Sequence, residues 1–529
     1  MTDFDVVVVG FGMAGVTAAI EAAEAGARVL VLDRGYGGGA SALSGGVVYA
    51  GGGTTIQRAA GVEDSPDNMF EYLRQEVGDV VTEKTLRRFC ATSASTIDWL
   101  AERGARFEGT LCPYKTSYPT DAHYLYYSGN EKAWPYAQHA VPAPRGHRQV
   151  AKGMGSGKAL FGLLRKAAVD RGVVFRPLSR VDGLTLEDGA TVAVSFASMD
   201  PDSAAGRQHR RLTMAAAKLV NWAPPVGRRI DARAEAIWSA KARPDHVRAR
   251  SVILSAGGFV FNPQMKAEYG APYSGISPLG TVGDDGAGIR LGESVGGATG
   301  RMERMTAWRF LSPPTALLEG VAVGPSGQRI TNEDLYGATF SDVMIHQHGG
   351  RGYLILDADQ WRKARSQLRA QSQPFQLVMG LYVFTKGHVK ASSLEELAGR
   401  IGVPAQELAA TVAAYNDGIA SEAGDPAHKA AELCSALTAG PFYAVDISVE
   451  NSRAFPAPGL TLGGLLVNEE TGEVLDADGE PVAGVYAAGR TAVGICSNTY
   501  ISGLSLADCV YSGRRAGVHA AAVSVGLHP

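Results

Sequence analysis

DVVVVGFGMAGVTAAIEAAEAGARVLVLD, residues 5–33, decides the fold of this chain. It predicts a buried strand at 6–9, a glycine turn, a helix at 16–25, a second strand at 28–32 and then an acidic residue. Gly10, Gly12 and Gly15 form the G-x-G-x-x-G pattern, which lets the backbone turn tightly and approach a pyrophosphate. The helix N-terminus directs N–H groups at that anion, and the Asp33 carboxylate accepts hydrogen bonds from a ribose. The alternative is a purely structural glycine turn. The spacing of strands, helix and acidic residue favours a dinucleotide site.

The composition indicates a globular protein of two or three domains. A chain of 529 residues is too long for one simple core, and 45% hydrophobic residues with 66 glycines argue against disorder. The formal net charge of −3 gives no indication of a nucleic acid or an anionic membrane surface as partner.

The cysteines and the N-terminus indicate the cellular setting. Five scattered cysteines without a C-x-x-C pair argue against a disulfide framework or a metal site, and they fit a reducing cytoplasm. Asp3 and Asp5 stand where a signal peptide would carry positive charge, and no run of about 20 apolar residues follows. We therefore expect a soluble, cytoplasmic protein with no membrane span.

A second glycine-rich segment, GMGSGK at 153–158, invites comparison with a P-loop. A P-loop needs a glycine five residues before Gly157, where this chain has Lys152, and a Ser or Thr where it has Ala159. We predict instead that this segment starts a helix at 158–170.

Three further segments indicate FAD rather than NAD. ASALSGG at 40–46 consists of small residues, as needed where backbone passes close to a bulky ligand. An apolar strand at 250–254 runs into SAGGF, and GVYAAGR at 484–490 is another strand that ends in a glycine. The last strand must return to the sheet of the first, so both chain ends build one nucleotide site. An extended FAD requires that arrangement, and a simple NAD domain does not.

Seven segments resemble the FAD-dependent oxidoreductases of the fumarate reductase, succinate dehydrogenase and 3-ketosteroid dehydrogenase group. They are VVVVGFGMAG, SALSGG, VILSAGGF, GDDGAGIRLGESVGG (283–297), QRITNED (328–334), TLGGLLV (461–467) and GVYAAGR. They follow the order typical of the group and span nearly the whole chain. The resemblance implies an α/β protein with a Rossmann-like, glutathione-reductase-like FAD-binding domain at 1–298 and 450–529. An inserted α+β capping or catalytic domain is expected at 299–449.

The resemblance also implies where FAD is held. GLSLADCVYSGRRAG (503–517) is similar to the helix whose N-terminus faces the isoalloxazine, where N–H groups stabilise negative charge on the reduced ring. The alternative is an ordinary amphipathic terminal helix. Succinate dehydrogenases attach FAD to a histidine that residues 39–44 lack, so we expect non-covalent FAD. The expected cofactor contacts are Gly10, Gly12, Met13, Ala14, Gly15, Asp33, Arg34, Ser41, Ser44, Gly45, Gly46, Ala256, Gly257, Asp285, Gly489, Arg490, Ser505 and Leu506.

Other segments are less regular. Helices are predicted at 394–401 and 404–415 of the inserted part. Residues 179–250 alternate weak strand patterns with polar turns and predict a hairpin that leaves the nucleotide domain. Residues 107–148 are rich in aromatic side chains, which either cover a flat apolar ligand or serve packing alone.

The candidate chemistry is hydride transfer between a flavin and a carbon, with a protein group moving the proton of the neighbouring carbon. Fumarate reductases use an arginine just after the N-E motif; here Tyr336 stands near the corresponding place after 332–333. The histidine-proline-threonine segment expected upstream is replaced by WRFLSPP at 308–314. A dicarboxylate without these cations would be poorly held, which argues against a fumarate reductase.

The chain resembles the 3-ketosteroid Δ4-(5α)-dehydrogenase branch in Tyr336, in SNTYISG at 497–503, in LYYSGNE at 125–131 and in PAPRGH at 142–147. It departs from the Tyr-Pro-Gly pattern of the Δ1 branch. The resemblance implies 4,5-dehydrogenation of a 3-keto-5α-steroid, with the C5 hydride going to FAD and the C4 proton to the Tyr500/Ser502 pair. A hydrogen bond to the 3-keto oxygen would acidify that proton. Tyr336 either makes this bond or is the proton acceptor, and the sequence leaves both roles open.

Simpler roles and other functions remain as alternatives. Ser502 could cap the following helix, and Tyr336 could be a packed aromatic residue. The protein could be an FAD-dependent ene-reductase acting on an enone or a fumarate-like acid, a ketosteroid Δ1-dehydrogenase, or an FAD protein without redox turnover. The expected partners are a small, apolar, steroid-like substrate and a diffusible electron acceptor or electron-transfer protein. The sequence lacks the cysteine spacings of an iron–sulfur cluster and a C-x-x-C-H haem site.

Overall fold

The computed structural model describes residues 2–187, 191–219, 224–450 and 455–526. Its strands, in chain order, are β1 Phe4–Val9, β2 Val29–Leu32, β3 Val47–Tyr49, β4 Leu125–Tyr126, β5 Gly146–Arg148, β6 Val174–Arg176, β7 Ser179–Glu187, β8 Thr191–Ser198, β9 Arg243–Leu254, β10 Ser277–Pro278, β11 Thr299–Gly300, β12 Met305–Ala307, β13 Val321–Val323, β14 Tyr353–Leu356, β15 His388–Ala391, β16 Phe442–Asp446, β17 Pro458–Thr461, β18 Gly464–Leu465, β19 Glu473–Leu475 and β20 Pro481–Ala487.

The α-helices of the same residues are α1 Met13–Glu24, α2 Gly39–Leu43, α3 Thr55–Ala59, α4 Pro66–Val77, α5 Glu83–Glu102, α6 Tyr136–His139, α7 Ser156–Asp170, α8 Ala204–Leu219, α9 Pro224–Lys241, α10 Pro263–Tyr269, α11 Ala287–Glu293, α12 Gly337–His348, α13 Ala358–Gln371, α14 Pro374–Thr385, α15 Leu394–Ile401, α16 Ala405–Ala420 and α17 Leu504–Val525. Within the described ranges, no helix combines the length and apolar character needed to cross a membrane.

A mostly parallel sheet in the order β19-β20-β9-β1-β2-β6 forms the centre of the molecule. Strand β1 pairs in parallel with β2 on one side and β9 on the other, and its residues 6–9 are buried. A strand covered on both faces is expected to be apolar throughout, as this one is. Strand β20 pairs in parallel with β9, which confirms that the C-terminal part returns to the sheet of the first strand. The predicted strand–turn–helix–strand order is correct, although α1 begins at Met13 rather than at residue 16.

Helix α17 is fixed against α1 by two close backbone contacts. A Cβ atom on Gly513 would lie 2.5 Å from Ala14 O, and one on Gly517 would lie 2.4 Å from Ala18 O. These glycines let the helices approach more closely than larger residues would allow. The contact places the N-terminal half of α17 beside the glycine turn at 10–15.

The segment 179–250 matches its prediction only in part. Strands β7 and β8 form the expected antiparallel hairpin, and β8 also pairs with the first half of β9. The prediction of further strands after the hairpin was wrong, because α8 and α9 occupy most of that stretch. Their sequences are rich in alanine and arginine, which favour helices. The predicted helix at 158–170 is α7, which begins two residues earlier at Ser156.

The inserted part has its own antiparallel sheet, in the order β13-β14-β16-β15, with α12 to α16 in the same stretch of chain. The two predicted helices are α15, with the expected bounds, and α16, which extends to Ala420. Strand β12 pairs with β17, and β11 pairs with β18. Two strands at the start of the inserted part are therefore hydrogen-bonded to strands of the C-terminal FAD-binding part. The domain boundaries at 298/299 and 449/450 stay a prediction, and the second borders residues 451–454, which lie outside the described ranges.

Candidate active site

The glycine turn has the shape that a pyrophosphate site requires. Gly10 has a φ of 97°, and a Cβ there would lie 2.6 Å from Ser255 O. A Cβ on Gly15 would lie 2.0 Å from Gly10 O. Gly12 differs, because a Cβ there would meet Ser41 Oγ at an ordinary 3.6 Å. Packing within the protein therefore requires Gly10 and Gly15, whereas the space above Gly12 is available to a ligand.

Ser41 and Asp33 complete this turn. Met13 N, the first amide of α1, donates to Ser41 Oγ at 3.0 Å. Asp33 directly follows β2, and its Oδ2 accepts from Phe11 N and its Oδ1 from Gly35 N, both at 2.7 Å. Each carboxylate oxygen has a second lone pair, so the fixed carboxylate can still accept from a ribose hydroxyl.

Arg490 brings a buried cationic donor to the same place. Its Nη2 donates to Asp284 Oδ1 at 2.6 Å, while its buried Nη1 makes no hydrogen bond within the described part of the chain. A buried guanidinium N–H without an acceptor is unfavourable, so this atom fits an anionic or carbonyl-bearing ligand. Gly489, with a φ of 61°, lies next to Ala14.

The two aspartates at 284–285 have separate partners, and the predicted cofactor contact of Asp285 stays a prediction. Asp285, the predicted contact, pairs with Arg34 at 2.7 Å and accepts from Ala287 N at 3.0 Å. Asp284 holds Arg490, and a Cβ on Gly257 would lie 2.4 Å from its Oδ1. Sequence reasoning missed Asp284, although the two adjacent aspartates were the available signal.

Within the small residues at 44–46, Gly45 is required by an aromatic neighbour. Ser44 Oγ donates to Ser41 O at 2.7 Å and accepts from Gly46 N at 3.2 Å. A Cβ on Gly45 would lie 2.4 Å from the Tyr118 ring, whose hydroxyl donates to Gly45 O at 2.9 Å. Part of the aromatic segment thus supports the glycine-rich loop, and its predicted role as a ligand cover stays a prediction.

Helix α17 begins beside these elements without a side-chain cap from the described residues. Its N-cap is Gly503, with a φ of 92°, and a Cβ there would lie 2.7 Å from Tyr49 N. The interpretation that Ser502 caps this helix was therefore wrong. Ser505 and Leu506 lie in the first turn, whose N–H groups are the donors available to a ligand.

The three predicted catalytic side chains converge on one cluster. Ser502 Oγ lies 2.9 Å from Tyr126 Oη, and Ser502 and Tyr500 lie near enough to Tyr336 to influence its pKa. Tyr336 is only 6% exposed and forms the N-cap of α12. The Tyr500 ring packs on Trp308 at 4.6 Å between centroids. In the sequence, Tyr126 was considered only as part of the segment LYYSGNE and was not proposed as a site residue. Its contact with Ser502 joins residues that are far apart in the chain.

Burial sets the protonation state of these phenols. It raises the pKa of Tyr126, Tyr336 and Tyr500 above the usual value for tyrosine. All three are therefore neutral hydrogen-bond donors near neutral pH. A proton can be accepted at this cluster only if another group takes a proton onward.

Arg309, in the segment that replaces the histidine-proline-threonine motif, is unavailable to a ligand. Its Nε donates to Ile447 O at 2.9 Å, its Nη1 to Phe455 O at 2.9 Å and its Nη2 to Ser448 O at 2.5 Å. Burial lowers its pKa to about 10, which still leaves it charged near pH 7. The arginine in the segment that replaces this motif thus binds backbone carbonyls at 447–448 and at 455.

One cavity reaches the tyrosine cluster at Tyr336, and a second lies beside the first. The first, of about 20 Å³, is lined by Tyr336, Phe310 and Tyr127 among others. The second, of about 390 Å³, lies between Trp134 and Thr339 and shares Leu335 with the first. The described residues hold no cluster of three or more His, Cys, Asp or Glu side chains placed to bind a metal ion.

Comparison with known proteins decides the family. A family model described as "FAD binding domain" matches residues 5–504. The chain belongs to this FAD-binding flavoprotein family. FAD is accordingly the cofactor of this flavoprotein, and its residues at the glycine turn, at Arg490 and at α17 fit that ligand.

Relatives of the flavoprotein support the branch inferred from sequence. The chain is 37% identical to a 3-oxo-5-alpha-steroid 4-dehydrogenase from Comamonas testosteroni, with 92% of each chain covered. It matches the crystal structure of a 3-ketosteroid-delta4-(5alpha)-dehydrogenase from Rhodococcus jostii RHA1, in complex with 4-androstene-3,17-dione. That match has a TM-score of 0.81, 32% identity and 98% coverage of both chains. A fumarate reductase (cytochrome) from Shewanella frigidimarina is 26% identical over 98% of this chain and 77% of the relative. The predicted α/β flavoprotein fold and the resemblance to the Δ4-(5α) branch are confirmed.

Proposed function

We propose that this flavoprotein oxidises 3-keto-5α-steroids by 4,5-dehydrogenation. The observation that carries the proposal is the cluster of neutral hydroxyls formed by Tyr126, Tyr336, Tyr500 and Ser502 beside the N-terminus of α17. A neutral ketone is bound by such donors, whereas a dicarboxylate needs cations. The likeness to the steroid 4-dehydrogenases of Comamonas and Rhodococcus supports this choice of substrate.

FAD, when bound, supplies the hydride acceptor for C5 of the steroid. The glycine turn and Asp33 would hold its pyrophosphate and ribose, and Arg490 Nη1 would donate to it. The first-turn N–H groups of α17 would face the ring and favour negative charge there.

In the proposed mechanism the hydroxyl cluster donates one hydrogen bond to the 3-keto oxygen and accepts the C4 proton. A neutral phenol that donates to the 3-keto oxygen favours the enolate and so acidifies the C4 hydrogen. The Tyr500/Ser502 pair takes the C4 proton as Ser502 passes its own hydroxyl proton to Tyr126, whose oxygen lies 2.9 Å away, and Tyr126 releases its phenolic proton to solvent, so that all three hydroxyls end neutral. Tyr336 is the donor to the 3-keto oxygen in this assignment. A relay is needed because burial opposes a lasting tyrosinate.

Electrons leave the reduced protein through an external acceptor. The described residues offer no metal-binding cluster that would act as an internal relay. We propose a diffusible acceptor or an electron-transfer partner.

An anaerobic titration with a 3-keto-5α-steroid tests the proposed function. We expect the visible flavin band to bleach and the 4-ene-3-ketone to form in equal amount. The same titration with succinate should leave the band unchanged, since Arg309 is held by backbone carbonyls. Bleaching by succinate but not by the steroid would favour the dicarboxylate alternative.

Tyr126→Phe is expected to lower kcat about tenfold with little change in KM. The substitution removes the hydroxyl paired with Ser502 but leaves the predicted C4 proton acceptors, so the loss should be smaller than the typical 10²–10⁴-fold for a direct acid or base. Tyr124→Phe is the matched control, because that ring packs over the Arg148 guanidinium at 5.0 Å. Equal kcat losses in both variants would contradict the relay.

A further inference from the structure

Glu76 is a buried carboxylate in α4 with no part in the chemistry described so far. It is fully buried, and both of its oxygens accept hydrogen bonds. Oε1 accepts from Tyr72 Oη and from Asn130 Nδ2, both at 2.7 Å, and Oε2 accepts from Thr499 Oγ1 at 2.9 Å. A carboxylate removed from water needs such donors, so the three side chains are held firmly around it.

One of these donors leads to Tyr336. Asn130 Oδ1 accepts from Tyr336 N at 2.6 Å, at the position that caps α12. The Asn130 amide group also donates to Thr339 Oγ1 at 2.8 Å, in the first turn of that helix. Glu76 thus orients the amide that holds Tyr336 at the start of α12.

Another donor leads to Tyr500. Thr499 immediately precedes it, and Thr499 Oγ1 lies 2.9 Å from both Oε2 and the backbone oxygen of Glu76. Asn498 Nδ2 donates to the same backbone oxygen at 2.9 Å. The segment that carries Tyr500 and Ser502 is therefore fixed to α4 through residue 76.

We propose that Glu76 is a positioning residue that sets the separation of Tyr336 and Tyr500 by holding Asn130 with one oxygen and Thr499 with the other. The role rests on the proposed function, in which both tyrosines contact the steroid A ring. Tyr336 belongs to the inserted part of the chain and Tyr500 to the C-terminal return, so one carboxylate links two separate segments across the site. Displacement of either tyrosine by about 1 Å is enough to lower catalysis about 10²-fold.

The surroundings of Glu76 explain why glutamine is the informative substitution. Burial raises the pKa of Glu76 to about 7, although the hydrogen bonds from Asn130, Tyr72 and Thr499 lower it. The titratable side chains that act on it or respond to it are Glu131, Tyr49, Tyr72 and Tyr136. Because the pKa of Glu76 is higher in the folded protein than in the unfolded chain, its protonation contributes to folding stability below the unfolded pKa. That contribution is lost as the pH rises through about 7. Glutamine avoids that loss, and its NH₂ can donate to Thr499 Oγ1 while its oxygen accepts from Asn130.

The test compares Glu76→Gln, Glu76→Ala and Thr499→Val in the FAD-loaded protein. We expect Gln to keep kcat within about threefold of wild type, Ala to lose about 10²-fold and Thr499→Val about tenfold, all with little change in KM. The double variant Thr499→Val/Tyr500→Phe should lose less kcat than the product of the two single losses. Both substitutions affect the same group, the Tyr500 hydroxyl. Thr96→Val, which removes a buried hydroxyl bonded within α5 to Thr92 O, is the control for general damage.

A second readout separates this proposal from the proposed function. Hydrogen–deuterium exchange of the FAD-loaded protein should rise at both 336–340 and 498–503 in Glu76→Ala and stay at the wild-type level in Glu76→Gln. If wild type fails to oxidise the steroid but the exchange pattern holds, the proposed function fails and the link through Glu76 stands. If Ala keeps wild-type kcat, if Gln loses as much as Ala, or if only one segment gains exchange, the positioning role is overturned.

Discussion

Tyr500→Phe is expected to lower turnover of a 3-keto-5α-steroid by about 10²–10⁴-fold while FAD remains bound. The Tyr500 ring packs on Trp308 at 4.6 Å, and phenylalanine keeps that contact. The substitution removes only the hydroxyl that the proposed mechanism uses to take the C4 proton together with Ser502. The rate of flavin reduction, measured by anaerobic stopped flow at saturating steroid, reports this step directly.

Tyr486→Phe is the matched control for that experiment. Tyr486 is a buried tyrosine in β20 whose hydroxyl lies 3.1 Å from His519 Nδ1. Its loss should cost stability without slowing flavin reduction. If Tyr500→Phe retains more than about a tenth of the wild-type rate, Tyr500 is not the group that moves the proton.

Gly12→Ala is expected to lower the affinity for FAD by about 10²-fold or more without unfolding the protein. The added Cβ meets only Ser41 Oγ at 3.6 Å, so the protein itself tolerates it. It projects into the space where backbone must approach the pyrophosphate, and each tenfold loss of affinity corresponds to about 1.4 kcal/mol. Titration of the apoprotein with FAD, followed by quenching of flavin fluorescence, measures the change.

Two further glycine variants sharpen this prediction. Gly162→Ala, at an exposed position in α7 with no neighbour within 4 Å of the added Cβ, should bind FAD normally and be slightly more stable. Gly10→Ala should lose stability as well as FAD, because its Cβ would lie 2.6 Å from Ser255 O. Normal FAD affinity in Gly12→Ala would show that the turn is structural and that the cofactor lies elsewhere.

The nucleotide-binding half was predictable because its signals are local. Strand β1, the glycine turn and α1 follow one another directly, and each residue type has a single physical role there. The return of β20 to the sheet followed from the need to enclose an extended ligand. By contrast, α8 and α9 were missed although their alanine- and arginine-rich sequences favour helices, because this stretch was interpreted from its weak strand patterns.

The candidate side chains could be named from the sequence, but their contacts with one another could not. Tyr336, Tyr500 and Ser502 were proposed because they lie in family segments, whereas the pairing of Tyr126 with Ser502 exists only in three dimensions. The same holds for Asp284 with Arg490, where the neighbouring Asp285 looked equally suitable. Glu76 gave no signal at all, since a carboxylate in an amphipathic helix is expected at the surface until the fold buries it.

The most direct test of the proposed reaction uses a 3-keto-5α-steroid with deuterium at C5. We predict that flavin reduction slows relative to the unlabelled steroid and that the 4-ene product contains no deuterium, because the C5 hydrogen leaves as hydride. Deuterium placed at C1 should stay in the product and leave the rate unchanged. A rate effect from C1 but none from C5, with the C5 label retained, would contradict 4,5-dehydrogenation and identify the Δ1 reaction instead.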